Sequence, residues 1–357
     1  MVTSQRVLYI GSYAAADQPG IYAFTFDDTT GELTRHRSFA GVANPSFLVM
    51  HPNGRWLYAV SETSQQDGTP GEVWALRCIR ESGSIEPINH RASGGDAPCH
   101  LEIDATGRWL LVSNYSSGTV GVLPTLEDGS LGEMSDLIQH HGSGPNAGRQ
   151  EGPHAHSATF TPDQRFAIVA DLGIDALLVY AFDAAAGRLR EHTRTATRPG
   201  AGPRHIAFHP NGKHVFVANE LNNTVAVYSY DAASGELHEE QVVDTLPPNA
   251  PENTVADIHV SSAGDRVYVS NRGHESIAIF QVGADGQLTQ VAIRSCGGRW
   301  PRNFAISLDG GFLLVANQYS DDVVVLPVRE GSEALGAPIV RTSIRSASCV
   351  RFVVSEG

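Results

Sequence analysis

The chain has 357 residues, and 39 acidic against 25 basic side chains give a net charge of −14. An acidic surface offers no basic face for a nucleic-acid backbone or an anionic membrane, so neither is an expected partner; locally gathered bases would still suit a small anion. The 36 Gly and 19 Pro are interleaved with Val, Ile, Leu and Thr without any low-complexity tract, which favours many strands and many turns.

At the N-terminus, MVTSQRVLYIGSY lacks a charged segment followed by an apolar core of leader length, and no apolar run approaches membrane-spanning length. A soluble cytoplasmic protein is therefore expected. The next feature is a strand-end motif that recurs seven times: Ser12 in LYIGS, Ser61 in LYAVS, Asn114 in LLVSN, Asp171 in AIVAD, Asn219 in VFVAN, Asn271 in VYVSN and Asn317 in LLVAN. The gaps are 49, 53, 57, 48, 52 and 46 residues. A period of about 51 residues with four strands per copy is the signature of a β-propeller, each repeat being one blade that cannot bury its faces alone. The copy from Pro203 to Asp231 shows the grammar: strands at about 204–209 and 214–219 joined by a His-Pro-Asn-Gly turn, then 224–231, then 236–243.

The first copy starts directly with its second strand, Val7 to Ser12, followed by Gly20 to Asp27 and Leu33 to Phe39. One apolar strand, Ser348 to Val354, is left over at the other end. The sequence thus predicts an all-β, seven-bladed propeller, one domain over residues 1–357, closed by pairing of the C-terminal strand with the N-terminal blade. Cys78, Cys99, Cys296 and Cys349 lie far apart without metal-ligand spacing and read as buried thiols. No oligomeric state is specified, and a monomer suffices.

The repeat also locates a site. The start of each first strand and the end of each second strand reach the same mouth of the central channel. Aligned by the apolar run that follows, the first-strand starts are Ser46, Cys99, His156, Arg204, Ala256, Arg302 and Ser348, with Phe47, His100, Ser157, His205, Asp257, Asn303 and Cys349 one step on. Second-strand ends add Glu62, Tyr115, Leu172, Glu220, Arg272 and Gln318. Arginines, histidines and a glutamate converging on one concave mouth are what a small anion requires, because a guanidinium binds phosphate or carboxylate through a planar fork of donors.

Plainer readings accompany these residues. Arg204 and Glu220 sit on adjacent strands and can simply pair with each other. His154 and His156 alternate, so in a regular strand they share one face, a spacing that also suits a metal but lacks a third ligand nearby. Asn219, Asn271 and Asn317 fit turn-forming roles, and the His-Pro-Asn-Gly histidines His51 and His209 belong at the far end of the inner strand. The chain has no Gly-x-Ser-x-Gly elbow, no phosphate-binding Gly-rich loop and no Cys-x-x-Cys.

The segments NPSFLVMHPNGRWLYAVSE (44–62), APCHLEIDATGRWLLVSNYSSGTVGVLP (97–124), RQEGPHAHSATFTPD (149–163), PGAGPRHIAFHPNG (199–212), VANEL (217–221) and VSNRGHESIAIF (269–280) resemble the propeller-type lactonases. That family includes cycloisomerase-type 6-phosphogluconolactonases and fungal carboxy-muconate lactonising enzymes, and the resemblance runs from about residue 7 to residue 353. It implies a catalytic set of His156, Arg204, Glu220 and Arg272. His154, His100, Arg302 and Asn271 are the substrate-binding candidates, Arg302 and His100 being expected to help hold the phosphate. It implies no metal or nucleotide cofactor, and a small anionic lactone as substrate. Glu220 or His156 is the expected general base, preferably with a pKa near neutrality. Hydrolysis of 6-phosphogluconolactone in the pentose phosphate pathway is the leading expectation. A carboxylated or unphosphorylated lactone, in either direction, and a non-catalytic binding propeller are the alternatives.

Overall fold

The second strand of every repeat is an almost unbroken apolar run, and burial explains why. In the computed structural model, which describes residues 5–79, 83–331 and 333–353, every residue of Trp109–Asn114 and Phe166–Asp171 is buried, because each sheet is covered on both faces by its neighbours. Outermost strands such as Leu33–Phe39 and Arg188–Ala196 are largely exposed and carry Arg, His and Glu, which discourages edge-to-edge pairing.

Among the described residues the strands form seven four-stranded antiparallel sheets, here numbered blades 1 to 7 in chain order. In blade 5 the strands are Pro203–Phe208, His214–Asn219, Thr224–Tyr230 and Leu237–Asp244, within a residue or so of the expected bounds. Hydrophobic clusters lie between adjacent blades; one joins Ile168, Leu177 and Val179 of blade 4 to Val215, Val217 and Tyr228 of blade 5.

Blade 1 is closed as expected. Its inner strand is Ala347–Phe352, which pairs antiparallel with Gln5–Ser12, placing Leu8 opposite Phe352 and Ile10 opposite Val350. Val354, the predicted end of that strand, lies outside the described residues.

A recurrent irregularity positions the site. Near the start of six of the seven inner strands, all but that of blade 2, the register with the second strand slips by a β-bulge: Pro98 pairs with Asn114 but His100 with Ser113, and the same skip occurs between Ala155 and Ser157, Pro203 and His205, and Pro301 and Asn303. The skipped residues are Cys99, His156, Arg204 and Arg302. Blade 1 skips Ser348, and blade 6 skips Ala256 and Asp257. A bulge inserts a residue that re-aims its side chain out of the pleat. The chain also enters several inner strands through a left-handed residue two positions upstream, at Asn44, Ala97, Gly202, Trp300 and Ser346, with φ between 46° and 64°.

Candidate active site

Two of these side chains, His156 and Arg204, meet Arg272 and Arg149 at one carboxylate. Glu220 directly follows Asn219 at the end of a second strand, and its backbone N–H is fixed by the carbonyl of Gly202 at 2.7 Å. Its Oε2 accepts from Arg204 Nε at 2.9 Å and lies 2.8 Å from Arg272 Nη2, while Oε1 accepts from Arg149 Nη2 at 2.6 Å. Arg204 and Arg272 are further held by backbone carbonyls, Nη1 donating to Ala256 O at 2.7 Å and Nη2 to Val255 O at 2.9 Å. His156 Nε2 stands 4.0 Å from Glu220 Oε2. All but Arg149 are buried; its side chain is 39% exposed.

The electrostatics follow from this crowding. Burial pushes the Glu220 carboxyl up, but Arg272, Arg204 and Arg149 overturn that and hold it far below the ordinary carboxylate range. Burial, helped by Arg204, His205, Arg302 and Arg272, keeps the His156 imidazole well below its usual value and therefore neutral at pH 7. Burial also brings the Arg272 guanidinium down to about 10, against the pull of Glu220, leaving it charged. Neither Glu220 nor His156 has the near-neutral pKa expected of a general base. Glu220 is a fixed negative charge, and His156 is a neutral imidazole with a free capacity for a proton.

Beneath this layer, Arg204 Nη1 approaches His205 Nε2 at 3.1 Å and His205 Nδ1 contacts Asp257 Oδ1 at 2.7 Å. Because the guanidinium can only donate, His205 accepts on Nε2 and donates from Nδ1 to the carboxylate. Asp257 Oδ2 in turn accepts from His259 Nε2 at 2.9 Å and from Asn303 Nδ2 at 2.5 Å.

Comparison with known proteins gives this mouth a family. Residues 7–352 match the model described as Lactonase, 7-bladed beta-propeller. The chain belongs to the seven-bladed propeller lactonases. It is 37% identical over 347 residues to the 6-phosphogluconolactonase of Bacillus subtilis, covering 97% of each chain. It is 33% identical over 325 residues to the 6-phosphogluconolactonase of Formosa agariphila, covering 89% of this chain and 91% of the other. Among solved structures, the periplasmic gluconolactonase of Pseudomonas aeruginosa superposes with a TM-score of 0.93 at 32% identity, covering 99% of this chain and 100% of the other.

In this lactonase fold the expected residues are not all brought together. His156, Arg204, Glu220 and Arg272 meet as described. Arg302 stands at the mouth, 3.8 Å from Glu62. His154 and His156 do not share a face, because the bulge turns His156 inward: His154 stacks on Tyr115 with ring centroids 4.4 Å apart, whereas His156 meets the same ring edge-on at 5.5 Å. His100 lies one step deeper, buried against Phe47 and His205. Asn271 is a correction. It is fully buried, and its amide is used by Thr245, Asn253 and Ser276, so it braces the turn and presents nothing to substrate. Asn219 behaves likewise, donating to Thr224 Oγ1 at 3.0 Å.

Sequence reasoning missed Arg149 and Tyr13. Arg149 is the first residue of the RQEGPHAHS segment, but it comes from the long connection into blade 4, outside the strand alignment. Tyr13 follows Ser12 by the same rule that selects Glu220, and its hydroxyl donates to Glu62 Oε2 at 2.8 Å.

Proposed function

We propose that this chain is a 6-phosphogluconolactonase, opening 6-phospho-D-glucono-1,5-lactone with water to give 6-phosphogluconate. The names of the Bacillus and Formosa relatives support the substrate. The observation that carries the chemistry is a neutral imidazole 4.0 Å from a carboxylate held ionised by three guanidiniums.

His156 accepts a proton from the attacking water as its oxygen bonds to the lactone carbonyl carbon. The tetrahedral oxyanion is met by Arg272 or Arg204, whose donors are already oriented. The imidazolium formed is stabilised by the nearby Glu220 charge. It then gives its proton to the ring oxygen as the carbon–oxygen bond breaks, leaving an acid and a free hydroxyl. Glu220 is thus not the base: it holds the guanidiniums and offsets the transient positive charge.

Arg149 is the guanidinium for the phosphate. It alone of the three around Glu220 is substantially exposed, and it borders two clefts of about 770 and 410 Å³ that flank the mouth. Replacing Arg149 by Met is expected to raise KM for the phosphorylated lactone about 10- to 100-fold, the value of a charge-assisted hydrogen bond, with kcat less affected. Progress curves with glucono-1,5-lactone and its 6-phosphate, corrected for spontaneous opening, test this. Equal effects on both substrates would remove Arg149 from phosphate recognition. The Pseudomonas gluconolactonase favours a second reading, in which the unphosphorylated lactone is the better substrate of wild type. The same curves separate the two.

We place the enzyme in the cytoplasm, since its four cysteines are all free and buried, which suits a reducing compartment. No helix among the described residues is long and apolar enough to cross a membrane.

A further inference from the structure

Across the mouth from Glu220 lies a second carboxylate–guanidinium pair of different character. Glu62 follows Ser61 at the end of the second strand of blade 2, Trp56–Ser61, and its main chain is pinned by Asn44, whose Nδ2 donates to Glu62 O at 3.2 Å. Its Oε2 accepts from Tyr13 OH at 2.8 Å and from Ser46 Oγ. Oε1 faces Arg302 Nη2 at 3.8 Å, beyond hydrogen-bond reach. Arg302 is held from its other side by the Tyr13 ring, with Cζ 5.1 Å from the centroid. Both side chains are mostly buried, 16% and 20% exposed. Among the described residues Glu62 Oε1 accepts no hydrogen bond and Arg302 donates none. At Glu220, by contrast, every facing guanidinium has closed to between 2.6 and 2.9 Å.

An open acceptor beside an open donor is complementary to one common group. A hydroxyl accepts from Arg302 and donates to Glu62 at once. A phosphate or carboxylate satisfies Arg302 but is repelled by Glu62, and a methylene leaves both unpaired. We infer that Glu62 and Arg302, steadied by Tyr13 and Ser46, form a subsite that reads a ring hydroxyl, making this mouth selective for polyhydroxylated sugar-acid lactones over alkyl or carboxylated ones. The inference rests on the lactonase reading above. It assigns Arg302 to a hydroxyl in place of the phosphate.

The test compares glucono-1,5-lactone with δ-valerolactone, the same ring without hydroxyls, for wild type, Glu62→Ala and Tyr13→Phe. Expected is a loss of kcat/KM on gluconolactone of about 10- to 100-fold for Glu62→Ala, carried mainly by KM, and a several-fold loss for Tyr13→Phe. In Glu62→Ala the ratio of the two substrates should fall by at least about tenfold, because only one of them has the hydroxyl to lose. Parallel losses on both lactones, or no loss on gluconolactone, would overturn the subsite. Gluconolactam, which cannot be hydrolysed, is titrated calorimetrically against the same proteins. If wild type opens no lactone, the hydrolytic reading fails, while lactam binding weakened about 10- to 100-fold in Glu62→Ala still supports the subsite and unchanged binding still sinks it. Thermal unfolding of each variant distinguishes these outcomes from misfolding.

Discussion

In the proposed mechanism His156 is the base and Glu220 is a counter-charge. Its carboxylate is buried with Arg204, Arg272 and Arg149 around it. Glu220→Gln would leave buried guanidiniums without a counter-charge, so it should cost about 3–5 kcal/mol of stability before any effect on the reaction is read. Urea unfolding of the variant checks this; a variant as stable as wild type would show that the cluster carries little of the fold. His156 makes the complementary claim. Because its imidazole lies well below 6.5, its basic form is fully populated through neutrality, and kcat/KM should show no acid limb between pH 5.5 and 8. A limb centred near 6.5 in the pH–rate profile would mean that another group is the base. Most of this cluster was legible in the sequence because four of its members occupy repeat-equivalent positions. Arg149 was not, since a repeat alignment says nothing about side chains delivered by a connection between blades. The protonation states were not legible either, because they depend on how many guanidiniums share one carboxylate.

At the scale of elements, the bulged start of the inner strand selects which residues reach the mouth. The sequence places Cys99, His156, Arg204 and Arg302 at one level, and the bulge is the physical reason they project together. The expectation of regular alternation fails here, which is why His154 and His156 part company. The opposite end of the inner strand is organised by His-Pro-Asn-Gly. His51 Nδ1 accepts from Asn53 N at 3.0 Å and Nε2 donates to Gly107 O of the next blade at 3.1 Å; His209 repeats this with Asn211 N and Gly264 O at 3.0 and 2.9 Å. Both partner glycines have positive φ, and a Cβ there would come within 2.3 and 2.6 Å of the imidazole, so glycine is needed twice over. Each histidine is therefore a staple between neighbouring blades. His209→Ala should lower unfolding free energy by about 1–3 kcal/mol, with kcat and KM retained. A loss of activity without a loss of stability would contradict that role.

For the whole molecule, the seven copies and the closing strand were readable from spacing alone, because each copy needs four strands and only one arrangement uses the leftover strand. Deleting residues 347–353 would expose the edge of Gln5–Ser12 and uncover the cluster shared by blades 7 and 1, including Leu8, Ile10 and Leu314. The truncated chain should lose cooperative unfolding or go to aggregates, read by calorimetry and light scattering. Acid should loosen the ring as well. Burial and Arg204 lower His205 to about 4, even though it donates to Asp257. An unfolded histidine titrates near about 6.5, so the stability tied to neutral His205 is complete above that pH and is lost as pH falls through about 4. The shift corresponds to about 3 kcal/mol. His100 and His156, also lowered, and Asp257, lowered by its histidine partners against the effect of burial, act in the same direction. Glu102, pushed up to about 7 by burial, acts the other way, since protonating it favours the fold as pH falls towards about 4.5. Three lowered histidines against one raised carboxyl leave a net fall in melting temperature between pH 6.5 and pH 4, and a flat profile would show that these histidines do not titrate differently on unfolding.

The most direct test is the rate at which purified protein opens freshly generated 6-phosphogluconolactone above its spontaneous hydrolysis, measured for wild type and for His156→Gln with folding verified. The expected result is rapid turnover by wild type and a fall in kcat of about 10²- to 10⁴-fold in the variant with KM little changed, as for removal of a general base. Turnover by His156→Gln equal to that of wild type would contradict the assignment of the base, and no excess rate from folded wild type would contradict the function.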